Sequence, residues 1–360
     1  MTLHETDITA ACRQLGFELS GVCDVRPSAW AEHFRAWLLA GKHGTMEYLA
    51  RNTELRADPE LLLPGAASAI MVADLYHSRG HDHAASPARL DSPFGKIARY
   101  ARGRDYHKVM KKRLHALCDD LRSKHPSAQF RAFVDTTPLM EREVAQLAGL
   151  GWIGKHTLLI HPRVGSYILL GGILTTLELT KSSKPVTDHC GTCTRCIEAC
   201  PTQAITPYSV DASRCISYLT IENRAPIDDQ FHESIGNWLY GCDICQEVCP
   251  HNSPRPPETG VAQINADYTP LRDSLPLEDV LNWTSEDRLS ALSGTAMTRA
   301  TLEMMKRNAV IVAANAIRNG CPEPHRSALL QRLKELASNH AESSGLASLA
   351  ARTLHRLNAQ

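Results

Sequence analysis

The 360-residue chain has no charge imbalance: 39 Lys and Arg stand against 39 Asp and Glu. No global basic field therefore recruits a nucleic acid, and a polyanionic partner has to be met by local patches. Long hydrophobic runs are also missing. The longest apolar stretch, around Ile168 to Leu179, is broken by Gly and Thr and is too short to span a bilayer. The opening residues, Met1-Thr-Leu-His-Glu-Thr-Asp7, carry no signal-peptide pattern. No Walker phosphate loop is present. A cytoplasmic protein with no membrane partner is expected, long enough for two or three domains with ample core.

Cysteine, by contrast, is concentrated. Of 12 cysteines, eight lie between Cys190 and Cys249. Cys190-x2-Cys193-x2-Cys196-x3-Cys200-Pro201 is the bacterial two-cluster ferredoxin spacing, in which three thiolates wrap one cubane and the fourth reaches the other. The second run, Cys242-x2-Cys245-x3-Cys249-Pro250, lacks the cysteine that a ferredoxin would carry at Leu239. Cys215 is the natural substitute. Crossing the fourth ligands assigns Cys190, Cys193, Cys196 and Cys249 to one [4Fe-4S] cluster, and Cys200, Cys215, Cys242 and Cys245 to the other. A pair of four-cysteine zinc sites is the rival reading, but three cysteines so close together crowd a tetrahedral ion. Cys12, Cys23, Cys118 and Cys321 are scattered and read as small core residues. Two clusters so spaced form a wire for single electrons, and something else in the chain must consume them.

Residues 6 to 63 read mostly as helices. Ala69 to Tyr76 is a buried-strand candidate, and the His- and Pro-containing stretch Gly80 to Pro93, with His81 and His83, is a solvated loop. The basic run Arg99 to Arg113 interleaves Tyr100, Tyr106 and His107 and leads into a helix reaching about Lys124. Phe130 to Val134 is a second strand ending on Asp135, where chemistry is often placed and where Asp also commonly caps a following helix. Gly149 to Thr157 is a glycine-dense turn, and Leu158 to Ile160 with Gly165 to Leu174 reads as a hairpin. Strands alternating with helices up to residue 180 indicate an α/β domain. From Leu277 the chain turns helical, with Thr298 to Asn319 as a long amphipathic helix.

Taken together, the cysteine run, Cys215-Ile-Ser217-Tyr-Leu-Thr220, Tyr100-Ala-Arg-Gly-Arg-Asp-Tyr-His107, Asp135-Thr-Thr-Pro138 and Gly149-Leu-Gly-Trp-Ile-Gly-Lys155 resemble the epoxyqueuosine reductases over nearly the whole chain. The resemblance implies an α/β cobalamin-binding catalytic domain over 1–180. It further implies a ferredoxin-type dicluster domain over 181–257 and a helical HEAT-like domain over 258–360. It also implies reduction of epoxyqueuosine to queuosine at the wobble position of tRNA, the last step of making that base, with cob(II)alamin fed by two [4Fe-4S] clusters. Implied partners are the anticodon arm of a tRNA with a GUN anticodon and an external electron donor, and the protein is expected to be a monomer.

The same resemblance makes Asp135 the proton donor, an acid whose pKa a dry pocket would raise. It suggests Arg56, Asp135, Ser217 and the backbone of the turn with Gly154, Lys155, Thr157 and Leu159 as cobalamin contacts. The D-x-H-x-x-G signature of a histidine ligand is absent, since Asp105-Tyr-His107 is followed by Lys-Val-Met, so cobalt without a histidine is expected. His156 and Gly172 depart from its pattern. Arg288, Arg299, Lys306 and Arg307 are candidates to track tRNA phosphates. A corrinoid reductase of a small molecule, a dicluster electron carrier and a tRNA-binding scaffold are the alternative readings.

Overall fold

The computed structural model describes residues 3–77, 90–181, 184–253, 263–339 and 343–359. The expected loop at Gly80 to Pro93, with His81 and His83, lies mostly outside them. The strands that position the site are β1 (Leu19–Asp24), β2 (Ser68–Leu75), β3 (Phe94–Ile97), β4 (Phe130–Val134), β5 (Ile168–Thr175), β6 (Trp238–Tyr240) and β7 (Ser274–Pro276). The main sheet has the order β1-β2-β5-β4, antiparallel at every step. Every residue of β2 is buried, which explains its unbroken apolar run.

The helix α1 (Tyr106–Lys124) covers one face, burying Met110, Leu114, Leu117 and Leu121 at helical spacing in one core with Ile70, Val72 and Ile173. The helix α2 (Glu141–Leu147) covers the other, with Val144 and Ala145 in a core shared with Met71 and Phe133. The mixed α and β composition matches expectation. The α/β connectivity is modified: β2 and β4 run parallel to each other across the α1 crossover, but β5 is inserted between them, a split βαβ unit.

Two readings are corrected. Leu19–Asp24 is a strand inside the stretch read as helical; its Ser and Gly weaken the strand signal. Residues 158–174 do not form a hairpin. Leu159–Ile160 pairs with Trp152–Ile153, while β5 joins the main sheet. Gly151 permits that tight pairing, because a Cβ there would lie 2.2 Å from the Ile160 carbonyl oxygen.

A second sheet, β6-β3-β7, draws one strand from each of the three expected domains. The boundaries at 180 and 257 therefore cut through shared structure. The short α3 (Ile216–Ile221) follows Cys215, and the C-terminal stretch is helical, with α4 (Leu302–Arg318), α5 (His325–Ser338) and α6 (Ser344–Asn358). Helix α4 is buried from Met304 to Ile317 and serves as a central core helix, not an amphipathic surface one. Among the described residues no helix is long and apolar enough to cross a membrane.

Candidate active site

A cleft of about 420 Å³ adjoins the carboxyl end of β4. Leu158, Leu159, Ile168, Leu169, Ile205 and Ile216 give it apolar walls, and Asp135 shares its lining with Cys200, Cys215, Cys242 and Cys245. The cleft thus brings the candidate acid and one whole set of four cysteines to a single space.

Asp135 is held by the start of α1. The Tyr106 hydroxyl donates to Asp135 Oδ2, and His107 Nε2 lies 3.1 Å from Asp135 Oδ1. The other ring nitrogen, Nδ1, is 2.7 Å from Asp105 Oδ1, and the Asp105 carboxylate caps α1 by accepting the His107 backbone N–H at 3.1 Å. A single capping residue therefore fixes the helix start and orients the imidazole.

Burial pushes the Asp135 carboxyl up, but the hydrogen bond and charge of His107, with the Tyr106 hydroxyl, outweigh it and hold Asp135 below the ordinary carboxylate range. Burial likewise pushes His107 down, and the two carboxylates reverse this, raising it to about 9. The expected raised pKa at Asp135 is therefore corrected: at neutral pH the proton of this group resides on His107. The carboxyls on the cleft that burial does push up are Glu141 and Asp243.

Charge coupling shows which cysteines lie near one another. Burial raises Cys196 to about 11, and the cysteines whose charges act on it are Cys249, Cys190 and Cys193. Cys242 senses Cys245 and Cys215, and Cys215 senses Cys200. Cys245 senses Cys215 and Cys200 but also Cys196, so the groups are neighbours. Among the described residues no three His, Cys, Asp or Glu side chains converge to hold one metal ion; in a cubane each cysteine binds a different iron.

Of the remaining expected site residues, Thr157, Leu159 and Ser217 line the cleft. Thr157 adopts a left-handed φ of 67°, and its carbonyl accepts Arg142 Nη1 at 2.6 Å. Gly154 and Lys155 are not on the lining. A Cβ on Gly154 would meet Ile160 Cδ1 at 2.5 Å, and Lys155 Nζ donates to the carbonyls of Gly191 and Cys193 at 2.6 and 3.0 Å. Arg56 sits on the helix Thr53–Ala57, also off the lining. Gly149, Gly151 and Gly154 have the spacing of a dinucleotide-binding turn, yet they follow α2 and open no helix, so that phosphate cradle is not formed.

The phosphate-tracking set is largely corrected. Arg307 is 7% exposed, and its guanidinium donates to the carbonyls of Leu219, Asn223 and Ala225, each at 2.7 Å. Lys306 is 5% exposed. Neither side chain is free to meet a phosphate. Arg288 is spent on loop carbonyls, with Nε donating to Ala300 O at 2.8 Å. Arg299 stays on the surface in a two-pronged pair with Glu222, at 2.9 and 2.7 Å.

The sequence reading noted Tyr106 and His107 only within a motif and a basic run, and singled out neither Glu141 nor Arg142. The available signal was the helix start itself: Asp105 as N-cap presents the next two side chains at the end of the neighbouring strand.

Residues 56–136 match the family model described as "Epoxyqueuosine reductase QueG, DUF1730", and residues 189–252 match a "4Fe-4S double cluster binding domain". The epoxyqueuosine reductase of Pseudomonas aeruginosa is 37% identical over 341 residues, covering 92% of this chain and 90% of that protein. That of Escherichia coli is 38% identical over 307 residues, 84% of this chain and 79% of the relative. The chain superposes on epoxyqueuosine reductase from Bacillus subtilis, solved with its catalytic aspartate loop swung out of the active site. The TM-score is 0.83 at 27% identity, covering 97% of this chain and 89% of the other. A second epoxyqueuosine reductase, crystallised with an epoxyqueuosine-modified tRNA-Tyr stem loop, gives 0.79 at 26% identity, with coverage of 98% and 97%. Likeness of this extent, in sequence and in fold, means that the chain belongs to the epoxyqueuosine reductase family.

Proposed function

We propose that this protein reduces epoxyqueuosine to queuosine in the anticodon arm of tRNA. The observation that carries the reading is the shared cleft, lined at once by Asp135 with its proton-bearing partner His107 and by four cysteines of a dicluster domain. Converting an epoxide to an alkene takes two electrons and two protons and releases water. Cysteine-held clusters account for the electrons and the Asp135–His107 pair for the protons.

In this reading Cys190, Cys193, Cys196 and Cys249 hold one [4Fe-4S] cluster, and Cys200, Cys215, Cys242 and Cys245 the other. The second lies against the cleft and the first receives electrons from an external donor. The cleft would also suit cob(II)alamin, which once bound and reduced by one further electron would supply a strongly reducing cobalt centre. Two features support that fit: the apolar walls, which suit a flat macrocycle, and His156. This histidine is 3% exposed and lines the cleft, and its Nε2 has no partner among the described residues. Its Nδ1 accepts the Leu158 N–H at 3.2 Å, so the ring proton sits on Nε2 and offers a donor, not a metal ligand.

Thr157, Leu159 and Ser217 are the corrin contacts retained. The backbone of the turn carrying Gly154 and Lys155 stands behind them, and Arg56 lies close enough to Glu141 on the lining for its charge to act on that carboxyl.

Below about pH 9 His107 carries the proton and shares it with Asp135 Oδ1. As charge develops on the substrate oxygen, Asp135 passes the proton to it and His107 replenishes Asp135. The partly exposed His107 takes up a proton from solvent after the first transfer, and the second transfer lets the oxygen leave as water. A wobble base in a single-stranded loop can be splayed into such a cleft without opening a duplex. Arg299 is the retained phosphate contact, and the helical C-terminal stretch, as a HEAT-like repeat, supports the arm.

The test is anaerobic turnover of tRNA carrying epoxyqueuosine, with cobalamin and a low-potential reductant, read by mass spectrometry of the digested nucleosides. Cobalamin-dependent loss of one oxygen is expected. Intact clusters and bound cobalamin without conversion would overturn the reading.

A further inference from the structure

The turn holding Trp152 and Lys155 faces away from the cleft, toward the first cysteine group. Trp152 is fully buried in a small cluster with Ile160 and Cys249, against which Cys190 and Val186 pack. Its ring stands edge-on to His189 and His251, at centroid distances of 5.0 and 4.8 Å. A buried indole N–H normally finds an acceptor, yet Trp152 Nε1 has no such hydrogen-bond partner among the described residues. Its indole packs beside Cys249 and Cys190, so the unmatched N–H lies in the surroundings of this cysteine group.

The Lys155 ammonium then grips the same loop through Gly191 O and Cys193 O, at 2.6 and 3.0 Å. The opposing charge nearby, Asp188, is engaged by the Tyr208 hydroxyl and by the Cys190 backbone N–H at 2.7 Å. Asp188, His189, Gly191 and Thr192 are exposed, so this cysteine group lies near the surface.

N–H donors to cluster sulfurs and a nearby cation stabilise the more negative, reduced state of an iron–sulfur cluster and so raise its potential. We infer that Trp152 and Lys155 are positioning residues that set the reduction potential of the cluster held by Cys190, Cys193, Cys196 and Cys249, holding it above the value its thiolates alone would give. The inference rests on the cluster assignment proposed above. It makes the surface-side cluster reducible by a weaker external donor.

The experiment is an anaerobic redox titration of the full-length protein, followed by electron paramagnetic resonance, on wild type, Trp152→Phe and Lys155→Met, with iron and sulfide content measured alongside. Both variants should move one of the two midpoint potentials to more negative values and leave the other in place, and Lys155→Arg should restore the wild-type value. The sign separates this role from a packing defect, since water admitted beside a cluster raises its potential. Lys155→Met tests the same sign with the indole intact, should Trp152→Phe lose its cluster. Unmoved potentials, or a positive shift in both variants, would overturn the inference alone. Absence of [4Fe-4S] signals in the wild type would overturn the cluster assignment together with it.

Discussion

His107 Nε2 sits 3.1 Å from Asp135 Oδ1, while the opposite nitrogen of the same ring is 2.7 Å from Asp105 Oδ1. An imidazole between two carboxylates is a proton store with a fixed direction. Asp105 orients the ring from the helix cap, and Asp135 presents the proton to the cleft.

Asp135→Asn keeps the shape of the side chain but removes the proton path. Turnover is expected to fall by about 10²- to 10⁴-fold, the usual share of general acid catalysis. Cluster content should stay near wild type, while the thermal midpoint should fall modestly, because the amide no longer balances the charge of His107. Full turnover with cobalamin bound would remove Asp135 from the mechanism.

The pH dependence follows from the same pair. His107 is raised from 6.5 to about 9, so its contribution is fully present below 6.5 and lost as pH rises through about 9. Asp135 is lowered from 3.8, so its contribution is present above that value and lost in more acid solution. The wild-type pH–rate profile should therefore fall on its alkaline side near pH 9. In His107→Asn that limb should move to lower pH, since Asp135 alone then holds the proton. An unchanged alkaline limb would show that another group titrates.

Arg307 and Arg299 should behave as opposites. Arg307→Met leaves the carbonyls of Leu219, Asn223 and Ala225 without their donor in a buried site. A loss of about 3 kcal/mol is expected in denaturant unfolding. Arg299→Gln should barely affect stability, because its pair with Glu222 is half exposed. It should instead reduce the salt slope of tRNA binding by about one unit. A salt slope unaltered by Arg299→Gln would take this arginine off the tRNA surface.

Gly172 pairs with Met71 on one side and Phe133 on the other. A Cβ there would lie 2.5 Å from Ile70 O and 2.6 Å from Phe133 Cζ. Gly172→Ala is expected to destabilise by about 1–3 kcal/mol through overpacking. The departure of this position from the family pattern is thus matched by the large side chains around it. Unchanged stability would mean that the sheet adjusts freely.

Residue order alone determined the covalent logic of the molecule. Cysteine spacing is local, so the two runs with Cys215 announced a dicluster domain directly, and Val134–Asp135 announced an acid at a strand end. Periodicity likewise located β2, β4 and the C-terminal helices. What only the tertiary structure decided depended on long-range pairing and burial. The insertion of β5 between β2 and β4 turned an alternating pattern into an antiparallel sheet, because strand order is set across the sheet and not along the chain. Arg307 reads as a phosphate contact since a cation gives no local sign of burial; carbonyls brought in from other segments claimed it. The protonation of Asp135 was hidden for the same reason. A carboxyl in a pocket is pushed up by lost water, and only the fold places His107 close enough to reverse that sign.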